Sequence, residues 1–351
     1  MAYTNIDDPS AHFQTFLYTG NGSSRSITLG GNSDLQPDLY WYKARNTNHH
    51  YWVDSSRGTT KYIYSSLTSA EATVASAYLT AFDSNGVSLG GGDSGTNTSG
   101  ISFANWAWKA NGGTTSSNTD GSITSTVQAN QDAGFSIVQY TGTGTAATIG
   151  HGLGVAPAMY IVKNRDQAGT SWTVFHKDLT SNAYSLYLSD TTAQSNAVGY
   201  WNGTSPTSTV FSIKNTSGDV NTNTEDYVVY CFAEKQGYSK FGKYVGNGNA
   251  NGPFIYTGFK PAFFLLKKTS AADGWRLFDN KRAGYNDDNY RLAPNDNTGE
   301  DTATTYLDIL SNGVKIRGTA GSFNQSGGTY IYMAFAENPF TTSTGIPTTA
   351  R

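Results

Sequence analysis

Apolar positions along this chain fall into short runs separated by clusters of Gly, Asn, Asp, Ser and Pro. Some runs alternate with polar residues, as in FQTFLYTG (13–20) and SITLGG (26–31), which is the period of a half-buried strand. Others are continuous, as in AFFLLKK (262–268) and YIYMAFAE (330–337), and predict strands buried on both sides or inside a tight sandwich core. Helical spacing is nearly absent. Only SLTSAEATVASAYLTAF (66–82) admits a short helix.

The runs recur in a fixed order. FSIVQYTGTG (135–144), VAPAMYIVKN (155–164), TSWTVFH (170–176) and DYVVYCFAE (226–234) are followed by FGKYVGNGNA (241–250), FKPAFFLLKK (259–268), DGWRLFD (273–279) and TYIYMAFAE (329–337). A looser version, FQTFLYTGNG, LQPDLYWYKA, HYWVDS and NWAWKA, precedes both. The Lys-to-Trp spacing is nine residues (Lys43 to Trp52), nine (Lys163 to Trp172) and eight (Lys267 to Trp275). From that Trp to the closing aromatic the distance is 54 (Trp106), 58 (Tyr230) and 57 residues (Tyr332). A period of roughly 100 to 120 residues means tandem copies of a domain, not a solenoid. The expectation is an all-β protein of three tandem antiparallel β-sandwich modules of jelly-roll or lectin type, each with its own core. The division is an N-terminal arm (1–12), modules at 13–110, 135–235 and 238–340, a linker or β-arm at 111–134, and a tail at 341–351. Only KQGY joins the last two modules, which should fix their orientation.

Composition narrows the class. Charged residues make up 14%, while Tyr (23) and Gly (39) are abundant; this suits an extracellular or virion β-protein better than a cytosolic enzyme. The net charge of −3 and the lack of a basic run argue against nucleic acid. No apolar run is long enough for a membrane span, and the polar start MAYTNIDDPSAHFQ gives no secretory signal. Release inside a virus particle is then the simplest way out of the cytoplasm. The single Cys231 reads as a small buried strand residue.

KPAFFLLKK, DGWRLFDNKRAGYNDDNYRLAPND, YLDILSNGVKIRG and SGGTYIYMAFAENPF, in that order, resemble a repeated β-domain of tailed-bacteriophage structural proteins, especially from marine phages. The resemblance covers about 260–340 and extends over 135–234; it fades in the first module, where the closing phrase is WAWKANGG. It implies a lectin-like fold and a tail-fibre or tail-associated role made of virion proteins, with a homotrimer favoured. It carries no catalytic residue and no cofactor.

Candidate chemistry is sparse. DSSRG (54–58) and DNKRAG (279–284) each set an acid three residues before Arg57 or Arg282, a fork for a sugar hydroxyl or a carboxylate, or else a pin for a loop. Tyr200, Trp201, Tyr285 and Tyr290 stand in polar surroundings, where flat rings suit either glycan stacking or subunit interfaces. Tyr200-Trp201 reads as the most exposed pair. Asp/Asn-rich GYNDDNY (284–290) and APNDNTGED (293–301) read as turns rather than Ca²⁺ loops, and GGGDSG (90–95) as a turn rather than a phosphate loop. His49 and His50 are adjacent on a strand and point apart, while His151 and His176 stand alone, so no metal is expected. Asp54, Asp273, Asp279, Glu300 and Asp301 are available for glycosidase chemistry but cannot be paired from sequence. The expected function is a non-enzymatic virion adhesin whose partners are other virion proteins and host-surface glycan. The alternatives are a capsid or tail decoration protein and, third, a polysaccharide depolymerase.

Overall fold

The computed structural model describes residues 3–74, 78–91, 95–215, 217–282, 286, 290–303 and 305–348. Tyr285, most of GYNDDNY and the middle of GGGDSG lie outside the described residues. The strands in chain order are β1 (Phe13–Thr19), β2 (Arg25–Thr28), β3 (Leu39–Ala44), β4 (His50–Asp54), β5 (Lys61–Tyr64), β6 (Ala72–Thr73), β7 (Leu79–Asp83), β8 (Gly86–Leu89) and β9 (Ser102–Trp108). Then come β10 (Ser116–Asn118), β11 (Ser125–Asn130), β12 (Phe135–Thr141), β13 (Ala147–Gly150), β14 (Met159–Asn164), β15 (Thr173–His176), β16 (Leu186–Tyr187), β17 (Val210–Ile213) and β18 (Asp226–Phe232). The last are β19 (Ser239–Val245), β20 (Phe254–Tyr256), β21 (Phe259–Lys268), β22 (Arg276–Asp279), β23 (Leu307–Leu310), β24 (Gly313–Ile316) and β25 (Thr329–Pro339). A 3-10 turn at Pro9–Ala11 and a four-residue helix, α1 (Gly321–Asn324), are the helical elements among the described residues. Where a short helix was admissible, the described residues instead form β6 and β7.

One strand order occurs three times. The large sheets read β1-β9-β3-β4-β5-β6, β10-β11-β12-β18-β14-β15-β16 and β19-β25-β21-β22; the first, last, third and fourth strands of each repeat are neighbours in the same sequence. The small sheets, β2-β8-β7, β13-β17 and β20-β24-β23, follow one pattern too. All pairings between these strands are antiparallel.

The continuous apolar runs are explained by burial of both sheet faces. On β21, Phe264 and Leu266 pack with Val314 and Ile316 of the small sheet, while Phe263 and Leu265 face the other way. The same alternation splits β3 into Tyr40 and Tyr42 against Leu39 and Trp41, and β14 into Tyr160 and Val162 against Met159 and Ile161. The second faces of all three large sheets meet in one central cluster that contains Trp41, Trp106 and Trp108, Tyr230 and Phe232, and Phe263 and Phe335. Independent cores joined like beads are therefore not what the chain builds. Each repeat has an outer core of its own, and the three share an inner one.

The segments expected to be loose are docked on this framework. β11 hydrogen-bonds along β12, so residues 125–130 extend the second large sheet. In the N-terminal segment Thr4 and Ile6 are buried, Tyr3 bonds to the Gly258 carbonyl at 2.5 Å, and Asp7 accepts a bond from the Ser343 amide at 2.6 Å.

Strand register corrects two of the sequence anchors. Trp52 pairs with Trp41 in the register where the other repeats place Val174 against Ile161 and Leu277 against Leu265. His50, opposite Lys43, holds the place of Trp172 and Trp275. Likewise Trp106 and Tyr230 match Met333, not Tyr332.

Candidate functional site

The sequence-nominated side chains gather at the seams between repeats rather than on the surface. Arg57 is buried, with Nε 2.6 Å from Asp54 Oδ2 and a terminal nitrogen 2.9 Å from Glu71 Oε2. Asp54 Oδ2 also accepts a bond from the Tyr230 hydroxyl of the second repeat at 2.7 Å. Arg282 repeats the arrangement: its Nε lies 2.6 Å from Asp279 Oδ2, and a terminal nitrogen lies 3.1 Å from Glu300 Oε2. Trp106 of the first repeat donates its indole N–H to Asp279 at 3.1 Å. The second repeat has His176 at the matching position, 3.2 Å from the Tyr332 carbonyl of the third. Met333 carries no donor there, so a ring nitrogen reaching a main-chain carbonyl does the corresponding work. The three contacts run first to second, second to third and third to first.

Two further sets of contacts run round the same ring. The amides of Glu71, Gln194 and Glu300 donate to the carbonyls of Arg165, Thr269 and Arg45 at 2.7, 3.2 and 2.7 Å. Two of these seams add a forked ion pair, Arg165 with Glu71 and Arg45 with Glu300. Burial alone would raise the Glu71 carboxyl, yet the Arg165 and Arg57 guanidiniums hold it below the usual carboxylate range. The indoles of Trp172 and Trp275 donate to the Tyr64 and Tyr187 carbonyls of the preceding repeat at 2.9 and 2.8 Å. In their place the buried His50 ring faces the Ala293 main chain. Sequence spacing alone gave no sign of this ring, because the partners lie in different repeats.

Tyr200 and Trp201 are buried, which overturns their reading as an exposed pair. Tyr200 donates to Asp219 at 2.5 Å and meets the Tyr187 hydroxyl at 3.1 Å. Trp201 has no exposed surface, packs edge-on against Tyr160 and donates to the Tyr184 carbonyl at 3.1 Å. Tyr290 sits under the Arg45 guanidinium, 5.9 Å from ring centre to Cζ. Asp273 pairs with Arg276 at 2.8 Å and Asp301 with Arg291 at 3.2 Å. Among the described residues no group of three His, Cys, Asp or Glu is placed to hold a metal. The exposed aromatics that sequence reasoning missed are Phe254 and Tyr256, which project from one face of β20 (46% and 54% exposed). Their alternation with buried Ile255 was the available signal.

Three lysines at matching positions, Lys43, Lys163 and Lys267, are wholly buried and donate to oxygens: Asn46 carbonyl at 2.6 Å, Thr170 hydroxyl at 2.8 Å and Lys268 carbonyl at 3.0 Å. Burial lowers each to about 8. Between pH 8 and the ordinary lysine value the unfolded chain holds protons that the folded chain has released, so stability rises with pH in that window. We expect the unfolding free energy to rise from pH 8 to about 9.5, by on the order of 1 kcal/mol per pH unit per lysine. Buried tyrosines, whose values burial raises, reverse the trend above about 10. Urea titrations across this range check it, and a Lys43→Met, Lys163→Met, Lys267→Met variant should lose the rise.

The fold and these seams define a class: an all-β protein in which three repeats of one strand order close round a common core through buried polar contacts. A family model described as a domain of unknown function, DUF7483, matches residues 8–339, and the chain belongs to that family. The match takes in all three repeats together. No curated protein and no solved structure matches the chain.

Proposed function

We propose that this is a non-enzymatic structural protein of a tailed-bacteriophage virion, tail-associated, built of three tandem β-sandwiches of lectin-like kind. The tandem-sandwich reading draws on the repeated strand order and on the outer core that each large sheet shares with its small sheet. The observation that carries the architectural role is the fate of the polar side chains. Asp54 and Arg57 bond to Tyr230, Asp279 to Trp106 and Glu300 to Arg45, each in another repeat. Arg57 and Arg282 pair with the same acids from within, which leaves none of these carboxylates free to act on a substrate. Such a rigid framework suits a part that must keep its shape while it seats against other virion proteins.

Host adhesion within that role is favoured by Phe254 and Tyr256, exposed side by side on β20, where flat rings can stack on sugar faces. Immunogold electron microscopy with antibody to the chain should label the tails of purified particles; unlabelled particles would refute the virion assignment. Phe254→Ala with Tyr256→Ala should abolish binding of the recombinant chain to host cells while leaving its stability within about 0.5 kcal/mol. Undiminished cell binding would remove these two rings from the reading.

A further inference from the structure

The three seams also differ at the outer edge of each repeat's first strand. In the second repeat that edge is covered: β11 runs along β12, with Gln128 opposite Ile137. The Gln128 carboxamide reaches into the seam, donating to Ser55 at 3.0 Å and Ser56 at 2.8 Å and accepting from the Asn111 and Gly113 amides at 3.0 and 2.9 Å. In the third repeat the corresponding place is closed by charge. Lys177, which stands where Ser55 does, and Lys240 of β19 both pair with Glu234, at 2.7 and 2.6 Å.

The first repeat has neither device. β1 is an edge strand paired with β9 alone among the described residues. Beside it, between the first and third repeats, is a cleft of about 600 Å³ lined by Thr15, Leu17, Asn280, Lys281 and Asn338, among others. By register Thr15 matches Ile137, since Phe13 opposite Trp108 corresponds to Phe135 opposite Phe232. Asn280 follows Asp279 as Ser55 follows Asp54. Thr15, 7% exposed, has a buried hydroxyl with no hydrogen-bond partner, and the Asn280 carboxamide oxygen is likewise buried and unmatched. Both residues line the cleft, where by register a residue like Gln128 would lie. A buried polar atom left without a partner is costly, and a side-chain carboxamide carries two N–H donors, as many as these two oxygens need.

We propose that this cleft receives an extended segment of a partner protein, which adds as a strand to the free edge of β1 and sets a Gln or Asn side chain between Thr15 and Asn280. The chain's own β11 is the template for the occupant. The main chain supplies the attachment and the single carboxamide the register, as in strand addition generally. The inference stands on the comparison of seams and does not require the virion assignment.

The probe is a synthetic peptide of the 116–130 sequence, added to the full chain. We expect saturable binding and slowed amide exchange over Phe13–Thr19. Binding should weaken about tenfold with Gln128→Leu in the peptide, or with Thr15→Val in the protein. Thr15→Val removes a hydroxyl that makes no bond in the free chain, so its fold should be unchanged. The proposal is overturned by absence of binding, by protection over Phe135–Thr141 instead (displacement of the native β11), or by binding that neither substitution weakens.

Discussion

Replacing Arg57 by alanine should lower the unfolding free energy by about 3–5 kcal/mol, because it leaves the buried Asp54 carboxylate without its cation. Asp54 has no exposed side-chain surface, so water cannot substitute for the guanidinium there, whereas Glu71 keeps its pair with Arg165. Arg57 also donates to the Trp52 carbonyl and the Tyr230 hydroxyl, and the loss is therefore felt in two repeats at once. Arg282→Ala should behave alike, since Asp279 is equally enclosed, although Arg45 still partly compensates Glu300. Arg317→Ala is the control: that side chain is 44% exposed, and its pair with Asp308 should contribute no more than about 1 kcal/mol. Adding Asp54→Asn to Arg57→Ala should recover part of the loss by removing the stranded charge. The measurement is urea unfolding with the slope compared between variants; a cost for Arg57→Ala no larger than for Arg317→Ala would show that the buried fork does not hold the seam.

Much of the fold could be read from the chain because local rules and the repeat agree. The alternation in FQTFLYTG and the continuous run AFFLLKK both predict strands, and both are strands, β1 and β21. What the pattern left open was the destination of the second face of each continuous run. Phe263 and Leu265 are as apolar as Phe264 and Leu266, and nothing in their spacing distinguishes a sandwich core from a seam between repeats. Aromatic residues in polar surroundings misled for a related reason. Tyr200 and Trp201 lie among Gly, Asn and Thr, yet their rings turn inward to Tyr160 and Asp219, contacts made across long loops. The acid–arginine motifs were visible as pairs within one repeat. Their actual partners, Tyr230 for Asp54 and Trp106 for Asp279, are each more than 170 residues away and belong to another copy of the repeat. The Trp anchors were misregistered in the first repeat because its loop between β3 and β4 is shorter than in the other two, which brings His50 into the tryptophan position opposite Lys43 and leaves Trp52 two residues further on.

If the inner core is truly common property, a hole made in it from one repeat must weaken all three. Trp108 of β9 is the test: its ring packs against Phe13 and Trp41 of the first repeat, Phe232 of the second, and Phe263 and Phe335 of the third, with centroids 4.8–6.5 Å apart. Trp108→Ala should cost about 3–5 kcal/mol, the usual penalty for emptying an aromatic site in a packed interior. The diagnostic result is its distribution. Hydrogen exchange should accelerate together in β9, β18 and β25, the strands that carry Trp108, Phe232 and Phe335, and urea unfolding should remain a single transition. A substitution confined to an outer core gives the contrast: Val314→Ala, between β24 and its large sheet, should accelerate exchange first in the third repeat. Faster exchange in the first repeat alone after Trp108→Ala would mean that the repeats are energetically separate despite their contact. Faster exchange in all three means that no repeat can lose its inner face without exposing the other two, which is why the closed ring rather than the single sandwich is the unit that folds.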